Sequence, residues 1–261
     1  MEESTPPAVV VIGGTLTAWI AATRLATAFD GTVPITVLDT AHRPSSQVTI
    51  LRPGLQRALF DPLGVPEATW MRACDASFSA AVKYTARPGS ETPVYLPHHP
   101  EIPSCEGFPL FDAWALDRAC GRTVEPLDRA CFREPPLMDA KKSPRWLDGR
   151  AAIPYGWHAD TTMLVHFLRR KAVRDRGVRL VGGDLLGGLR APDGTLTAVH
   201  TTRGTLPGTL FLDCTGEDRL LIDGLLAEPF LDDSCRVPTD SSVTLTSPHD
   251  TTHAIAPYTT V

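Results

Sequence analysis

Two glycines and one acid give the first hint of chemistry. Gly13 and Gly14 follow the apolar run Val9-Val10-Val11-Ile12, and Asp39 closes a second apolar run, Ile35 to Leu38. A glycine turn leading into a helix presents backbone amides to a diphosphate. A carboxylate about 20 residues further on accepts the hydroxyl pair of a ribose, and Asp39 stands 21 positions after Ala18. The signature G-x-G-x-x-G falls on Gly13, Gly14, Thr15, Leu16, Thr17 and Ala18. Its first glycine is kept and Ala18 is tolerated in the third slot. Thr15 replaces the second glycine, the one that lets the backbone approach the pyrophosphate, and its Cβ crowds the phosphates unless the turn shifts. Spacing alone leaves open both a dinucleotide site and an ordinary βαβ unit without cofactor.

The other candidates read as structural on residue type alone. Lys83 lies beside an apolar stripe, not on it, and a lysine there is a solvated surface group. His158 and Asp160 suggest a catalytic pair, but Asp160 is better explained as a helix cap. Cys74, Cys105, Cys120, Cys131, Cys214 and Cys235 show no C-x-x-C spacing. They read as reduced thiols, with no disulfide frame and no metal site expected.

The elements that must position these residues follow from periodicity. Val9 to Ile12 reads as a strand buried on both faces. Leu16 to Phe29 has helical spacing, with Ala18, Ala21, Ala22 and Ala26 for close packing on a sheet. His42 to Gly54 reads as a proline-punctuated loop. Leu55 to Leu63 and Glu67 to Tyr84 read as helices split by Gly64-Val65-Pro66. The second has Trp70, Cys74, Phe78, Ala81 and Val82 on one face. Residues 86–154 show little periodicity and many of the 24 prolines, so loops are expected. Their aromatics (Tyr95, Phe108, Phe111, Trp114, Phe132 and Trp146) belong to a capping subdomain or wall a pocket for a flat substrate. Asp160 then caps a helix with a stripe at Met163, Leu164, Phe167, Leu168 and Ala172, ended by Gly177. Val178 to Val181 is a strand, Leu185–Arg190 and Ala198–Thr202 a hairpin turning at Asp193-Gly194, and Thr209 to Leu212 a buried strand. The chain runs out at Tyr258 to Val261 with no closing element expected.

Composition narrows the class. At 261 residues, 43% hydrophobic and 21% charged, the chain can bury a large core. A net charge of −5 favours neither nucleic acid nor an anionic membrane. The opening MEESTPPA has no apolar signal core, and no apolar run approaches the ~18 residues of a membrane span, so a cytoplasmic protein is expected.

Several segments together resemble the flavin-dependent tryptophan halogenases. The family's G-G-G-T-A-G-W-M-A-A corresponds to GGTLTAWIAA, with Trp19 and the two alanines retained. Its F-D-x-L-G-I-P-x-x-x-W-M-R and F-x-x-A-I-K-F correspond to FDPLGVPEATWMR and FSAAVKY. Its W-H-F-D, L-F-I-D-C-S-G and K-E-P-F correspond to Trp157-His158-Ala159-Asp160, LFLDCTG and Ala227-Glu228-Pro229-Phe230. The resemblance implies an α/β, Rossmann-like FAD-binding domain of the flavin monooxygenase and halogenase type. It implies that reduced FAD, O2 and halide give hypohalous acid, which a lysine, here Lys83, relays to tryptophan or a related aromatic. It also implies a separate flavin reductase as electron source. Gly13, Gly14, Thr15, Thr17 and Ala18 are then at the pyrophosphate and Asp39 at the ribose, with backbone contributions from Leu185 at the adenine and Gly216 after the DCTG turn. On this resemblance, residues 1–85 and 151–230 form the FAD-binding domain, 86–150 an inserted loop-rich, substrate-side subdomain, and 231–261 the start of a substrate domain.

Departures accompany the match. The family's flavin-lining G-E-A-T-x-P falls on Val48 to Pro53, of which only the proline is kept. Its W-x-W-x-I-P motif, halide-binding S-T-G segment and the lysine's carboxylate partner match nothing before Val261. The chain is therefore expected to be the truncated, amino-terminal half of a halogenase, weakly active or inactive by itself. The alternatives are a non-catalytic remnant and a flavin monooxygenase or oxidoreductase sharing only the FAD domain.

Overall fold

The computed structural model describes residues 7–40, 47–85, 92–98, 103–122, 125–236, 252 and 254–261. In chain order these form β1 (Val9–Ile12), α1 (Leu16–Phe29), β2 (Ile35–Asp39), β3 (Val48–Leu51), α2 (Glu67–Ala73), β4 (Ser77–Ser79), β5 (Ala81–Tyr84) and β6 (Val94–Pro97). Then come β7 (Ser104–Cys105), β8 (Phe108–Pro109), α3 (Leu110–Ala119), α4 (Leu127–Cys131), α5 (Glu134–Asp139), β9 (Gly156–Asp160) and α6 (Thr161–Arg176). The last strands are β10 (Arg179–Gly182), β11 (Leu185–Arg190), β12 (Leu196–Thr201), β13 (Gly204–Pro207), β14 (Leu210–Asp213) and β15 (Tyr258–Thr260). The chain divides into two units. One is Met1–Gln47, Leu59–Cys74 and Asp160–Thr246; the other is Val48–Ala58, Asp75–Ala159 and Ser247–Val261.

The first unit is built on four parallel strands in the order β10-β2-β1-β14. β1 is buried throughout because both its faces are covered. Val10 and Ile12 join Leu38, Val199, Leu206 and Leu221 in one apolar cluster. Val9 and Val11 alternate to the opposite face, and α1 packs on β1, β2 and α6. The antiparallel β11-β12-β13 supplies Val199 and Leu206 to that cluster. Burying each such aliphatic side chain is worth about 1.5–3 kcal/mol.

α6 starts and stops where the sequence signals said it should. The Asp160 carboxylate accepts the Met163 amide at 2.7 Å, and Gly177 ends the helix with φ 68°. Leu164, Phe167, Leu168 and Ala172 are buried, while Met163, expected in the same stripe, is exposed. Met163 lies in the first turn, one residue off the buried face. The hairpin forms with its turn at Gly194, and the strand after Gly177 is Arg179–Gly182.

The second unit carries β15-β5-β6 and β3-β9-β4, with a core of Ala80, Ala81, Tyr95, Met138 and Ile153. Four expectations are corrected around it. The helix expected over Glu67–Tyr84 ends at Ala73; Asp75 takes φ 47°, breaking it, and β4 and β5 follow. The helix expected over Leu55–Leu63 is a widened turn, Gln56–Phe60, followed by a 3-10 turn, Asp61–Leu63, because Pro62 removes an amide the helix needs. Within the loop expected over His42 to Gly54, residues 41–46 lie outside the described ones, but Val48–Leu51 is a strand beside β9. The chain's end closes a sheet: Tyr258–Thr260 pairs in parallel with β5, Thr260 opposite Lys83.

Residues 103–139 also hold more regular structure than their prolines suggest. Pro109 and Pro126 sit at the N-caps of α3 and α4, and Pro135 in the first turn of α5. Proline lacks the amide that is unpaired there anyway, so it starts helices as well as breaking them. Among the described residues, no helix is long and apolar enough to cross a membrane.

Candidate functional site

The carboxyl ends of the parallel strands form the site in the first unit. β1 pairs with β2 on one side, through the α1 crossover, and with β14 on the other. The strand order therefore reverses beside β1, where open α/β sheets bind ligands. Gly13 leaves β1 with φ 124°, and its amide donates to the Leu38 carbonyl at 2.9 Å. A side-chain carbon there falls 2.5 Å from the Cys214 oxygen. One at Gly14 runs into the Asp39 carboxylate and comes within 2.9 Å of the Thr40 carbonyl. Both glycines thus allow three strand ends to converge, whether or not a ligand is bound.

α1 begins directly above this turn. Of the amides at its start that have no intrahelical acceptor, that of Ala18 donates to the Thr15 hydroxyl at 3.1 Å; the first intrahelical bond runs from the Trp19 amide to the Thr15 carbonyl at 3.2 Å. The amides of Leu16 and Thr17 stand at the helix start, where the helix dipole favours an anion. Thr15 has φ −72° and ψ 166°, a conformation open to any residue. Its hydroxyl also donates to the Cys214 carbonyl at 2.8 Å, tying α1 to the end of β14. Thr17 is exposed on the first turn and Ala18 fully buried.

Asp39 ends β2 with one oxygen against Gly14 and the other 2.9 Å from Arg169 on α6. Arg169 also lies 5.9 Å from the ring of Trp19. Gly182 is level with Asp39 in the sheet, and the Gly183 amide donates to the Asp39 carbonyl at 3.3 Å. Leu185 follows two residues later, opening β11 opposite Thr201, with its side chain packed on the apolar cluster.

The far wall is set by Asp213. Its carboxylate accepts the Thr215 hydroxyl at 2.6 Å and the amides of Thr215, Leu221 and Ile222 at 3.1, 2.9 and 3.1 Å. Burial disfavours its charge, but these donors outweigh burial and hold the carboxyl below its usual range. Gly216 follows, exposed, with φ 67° and open space where a side chain would stand. Burial, then the Asp213 charge, pushes the Cys214 thiol up, so it is an inert wall.

Lys83 belongs to the second unit and is half-buried, not the solvated group on a helix that periodicity implied. On β5 it lies opposite Tyr95 of β6. Its Nζ is 5.3 Å from the Tyr95 ring centroid and 5.1 Å from that of Tyr258. His158 bonds the Thr259 hydroxyl at 2.8 Å, a link to the chain's last strand. Nearby polar burial also includes His98, whose Nε2 is 2.7 Å from the Ser79 hydroxyl.

The structure therefore gathers Gly13, Gly14, Thr15, Thr17, Ala18 and Asp39 at one strand-end crevice. Leu185 is reached from its β10 side and Gly216 from its β14 side. Sequence reasoning missed Arg169, Asp213 and Tyr258 as participants, and named Tyr95 only among aromatics that cap the fold or wall a pocket. Asp213 had a signal, an acid ending an apolar strand before Cys214-Thr215-Gly216. Arg169 had none, since its pairing with Asp39 spans 130 residues.

A family model described as tryptophan halogenase matches residues 8–261. Tryptophan 6-halogenase ThaL of Streptomyces albogriseolus is 40% identical over 269 residues, covering 96% of this chain and 50% of that protein. The crystal structure of a tryptophan 6-halogenase, SttH, from Streptomyces toxytricini superposes with a TM-score of 0.85 at 31% identity, covering 98% of this chain and 53% of that one. A tryptophan C-6 flavin-dependent halogenase (chlorinase) from taromycin biosynthesis gives 0.80 at 30% identity, covering 90% and 48%. The chain spans about half the length of these relatives.

Proposed function

The chain belongs to the tryptophan halogenase family, and from that membership we propose that it holds FAD in the strand-end crevice and takes part in halogenating tryptophan or a related aromatic. The observation that carries the reading is the convergence of Gly13 and Gly14, the α1 amino terminus and Asp39 where strand order reverses. That cradle suits a diphosphate and a ribose. The Leu16 and Thr17 amides and the helix dipole receive the phosphates, with Gly13 and Gly14 letting the strand ends close up beneath them. Asp39, steadied by Arg169, accepts the ribose hydroxyls. The Leu185 backbone serves the adenine, and Gly216 leaves room for the cofactor beside β14. The first unit, which carries the crevice, is assigned to FAD, and the second, which carries Lys83, to the substrate side.

Reduced FAD, supplied with electrons by a separate flavin reductase, furnishes with O2 the oxidising power that turns halide into hypohalous acid. Lys83 then receives that acid, and its ammonium donates hydrogen bonds that aim the halogen at one aromatic carbon. Thr15 supports a second reading, a non-catalytic remnant that binds FAD weakly, because its hydroxyl already occupies the Ala18 amide otherwise open to a phosphate oxygen.

A flavin titration tests the proposal. FAD is expected to bind and Thr17→Asp to weaken it, since an exposed anion at the helix start repels a diphosphate without touching the core. With reductase and halide present, Lys83→Met is expected to abolish halogenated tryptophan while leaving FAD bound. A chain that binds no FAD, or a Lys83→Met protein that still halogenates, refutes the respective half.

A further inference from the structure

Resting on the reading of Lys83 as the halogen relay, we propose that Tyr95 and Tyr258 are positioning residues that hold its ammonium in an aromatic slot. The sheet makes the slot. Lys83 on β5 stands directly opposite Tyr95 on β6. Ala81, two residues before it and on the same face, stands opposite Tyr258 on β15. One tyrosine is therefore the direct cross-strand neighbour of Lys83 and the other its diagonal neighbour, the two positions from which a ring reaches a long side chain. The Nζ lies 5.3 and 5.1 Å from the two centroids, inside the ~6 Å over which a ring face attracts a cation. The rings meet edge to face at 5.7 Å and 80°, so they form a corner rather than two parallel walls. A corner holds the ammonium on two sides.

The slot is braced from behind. The Tyr95 hydroxyl donates to Asp139 at 2.6 Å, and its amide to Asp128 at 2.9 Å. Asp139 is held in turn by Arg129 at 2.8 Å. Tyr95 is 2% exposed, so its ring has no alternative position. A lysine stem has many rotamers, and an ammonium left in water samples them all. The attraction acts on a cation, and a neutral haloamine at Nζ feels none of it. The slot therefore suits a lysine that stays charged and donates hydrogen bonds to hypohalous acid.

The test uses the whole chain, whose four lysines are Lys83, Lys141, Lys142 and Lys171. Reductive methylation with 13C-formaldehyde keeps their charge and gives one resonance per lysine besides the amino terminus. Loss of one peak in Lys83→Arg assigns it. The Lys83 methyls are expected upfield of the other three lysines, shifted by the two rings. Tyr258→Leu moves them toward the common lysine position, and Tyr258→Phe, which keeps the ring, restores them. Asp139→Asn, which loosens Tyr95 and removes a negative charge that acts on Lys83, moves them part of the way. Halogenation by the Tyr258 variants, measured with reductase and halide, is expected to fall with Leu and recover with Phe. A Lys83 signal among the other lysines, or one unmoved by Tyr258→Leu, overturns the slot. The relay reading fails separately, if Lys83→Met still transfers halogen.

Discussion

His98 makes the stability of the second unit depend on pH between 7.5 and 5. Its ring is 7% exposed, its backbone amide is bonded to Ala80, and its Nε2 meets Ser79. Burial, then the charges of Arg52 and His158, lowers its pKa from 6.5 to about 4. The folded protein keeps the ring neutral while the unfolded chain protonates it. The stability held above pH 6.5 is therefore lost as pH falls toward 4. At pH 5 the unfolded ring is almost fully charged and the folded one almost fully neutral. This shift costs about 2 kcal/mol relative to pH 7.5. The perturbation is His98→Gln, which keeps a polar group beside Ser79 and removes the titration. Amide hydrogen exchange over β4, β5 and β6, read by mass spectrometry at both pH values, follows this unit directly. The wild type is expected to lose about 2 kcal/mol more protection than His98→Gln across the interval. His158, lowered by its own burial, is present in both proteins, so the difference reports His98 together with its coupling to His158. Equal losses in the two proteins would refute the assignment.

Three further outcomes follow from the crevice. Thr15→Gly is expected to tighten FAD binding in a fluorescence titration, by removing the Cβ and freeing the Ala18 amide. The same change lowers thermal stability by about 1 kcal/mol through the lost cap and the lost bond to Cys214. Asp213→Asn is expected to cost about 2–4 kcal/mol at pH 7, since an amide cannot accept all four donors that meet the carboxylate. The folded Asp213 pKa is depressed, so this difference shrinks as pH falls below the ordinary carboxylate range, and melting curves at pH 7 and pH 3 check it. Gly13→Ala is expected to destabilise the first unit with or without flavin, because the new carbon meets Cys214 at a φ of 124°; unchanged melting would refute the packing account.

The parallel sheet was legible because its signals are local. Val9 to Ile12 is apolar at every position, Asp160 and Gly177 bracket α6, and the turn at Gly194 aligns the β11 and β12 strands. Each is a short stretch whose physics does not depend on distant residues. The stretch from Ala73 to Tyr84 was not legible in the same way. Trp70 and Cys74 are four apart and invite a longer helix, but the left-handed turn at Asp75 ends it. The clue was the alternation Ser77-Phe78-Ser79, too short to outweigh an apparent four-turn stripe. The missed strand mattered most because it decides what Lys83 touches. On a helix Lys83 is one residue past its stripe; on β5 it is the partner of Tyr95.

Thr15 separates two demands that a glycine at this position reconciles differently. A helix needs its first amides satisfied, and a diphosphate needs them available. Glycine leaves them to the ligand, so the helix start is completed only when the ligand is present. Threonine meets the demand from within the chain, with Ala18 on one side of its hydroxyl and Cys214 on the other. The ligand-free helix start should then be firmer and the ligand's gain smaller. Protection of the α1 amides should therefore rise less on FAD addition in the wild type than in Thr15→Gly. An equal rise in both would show that the hydroxyl gives way to the phosphate, and that the threonine costs the site nothing.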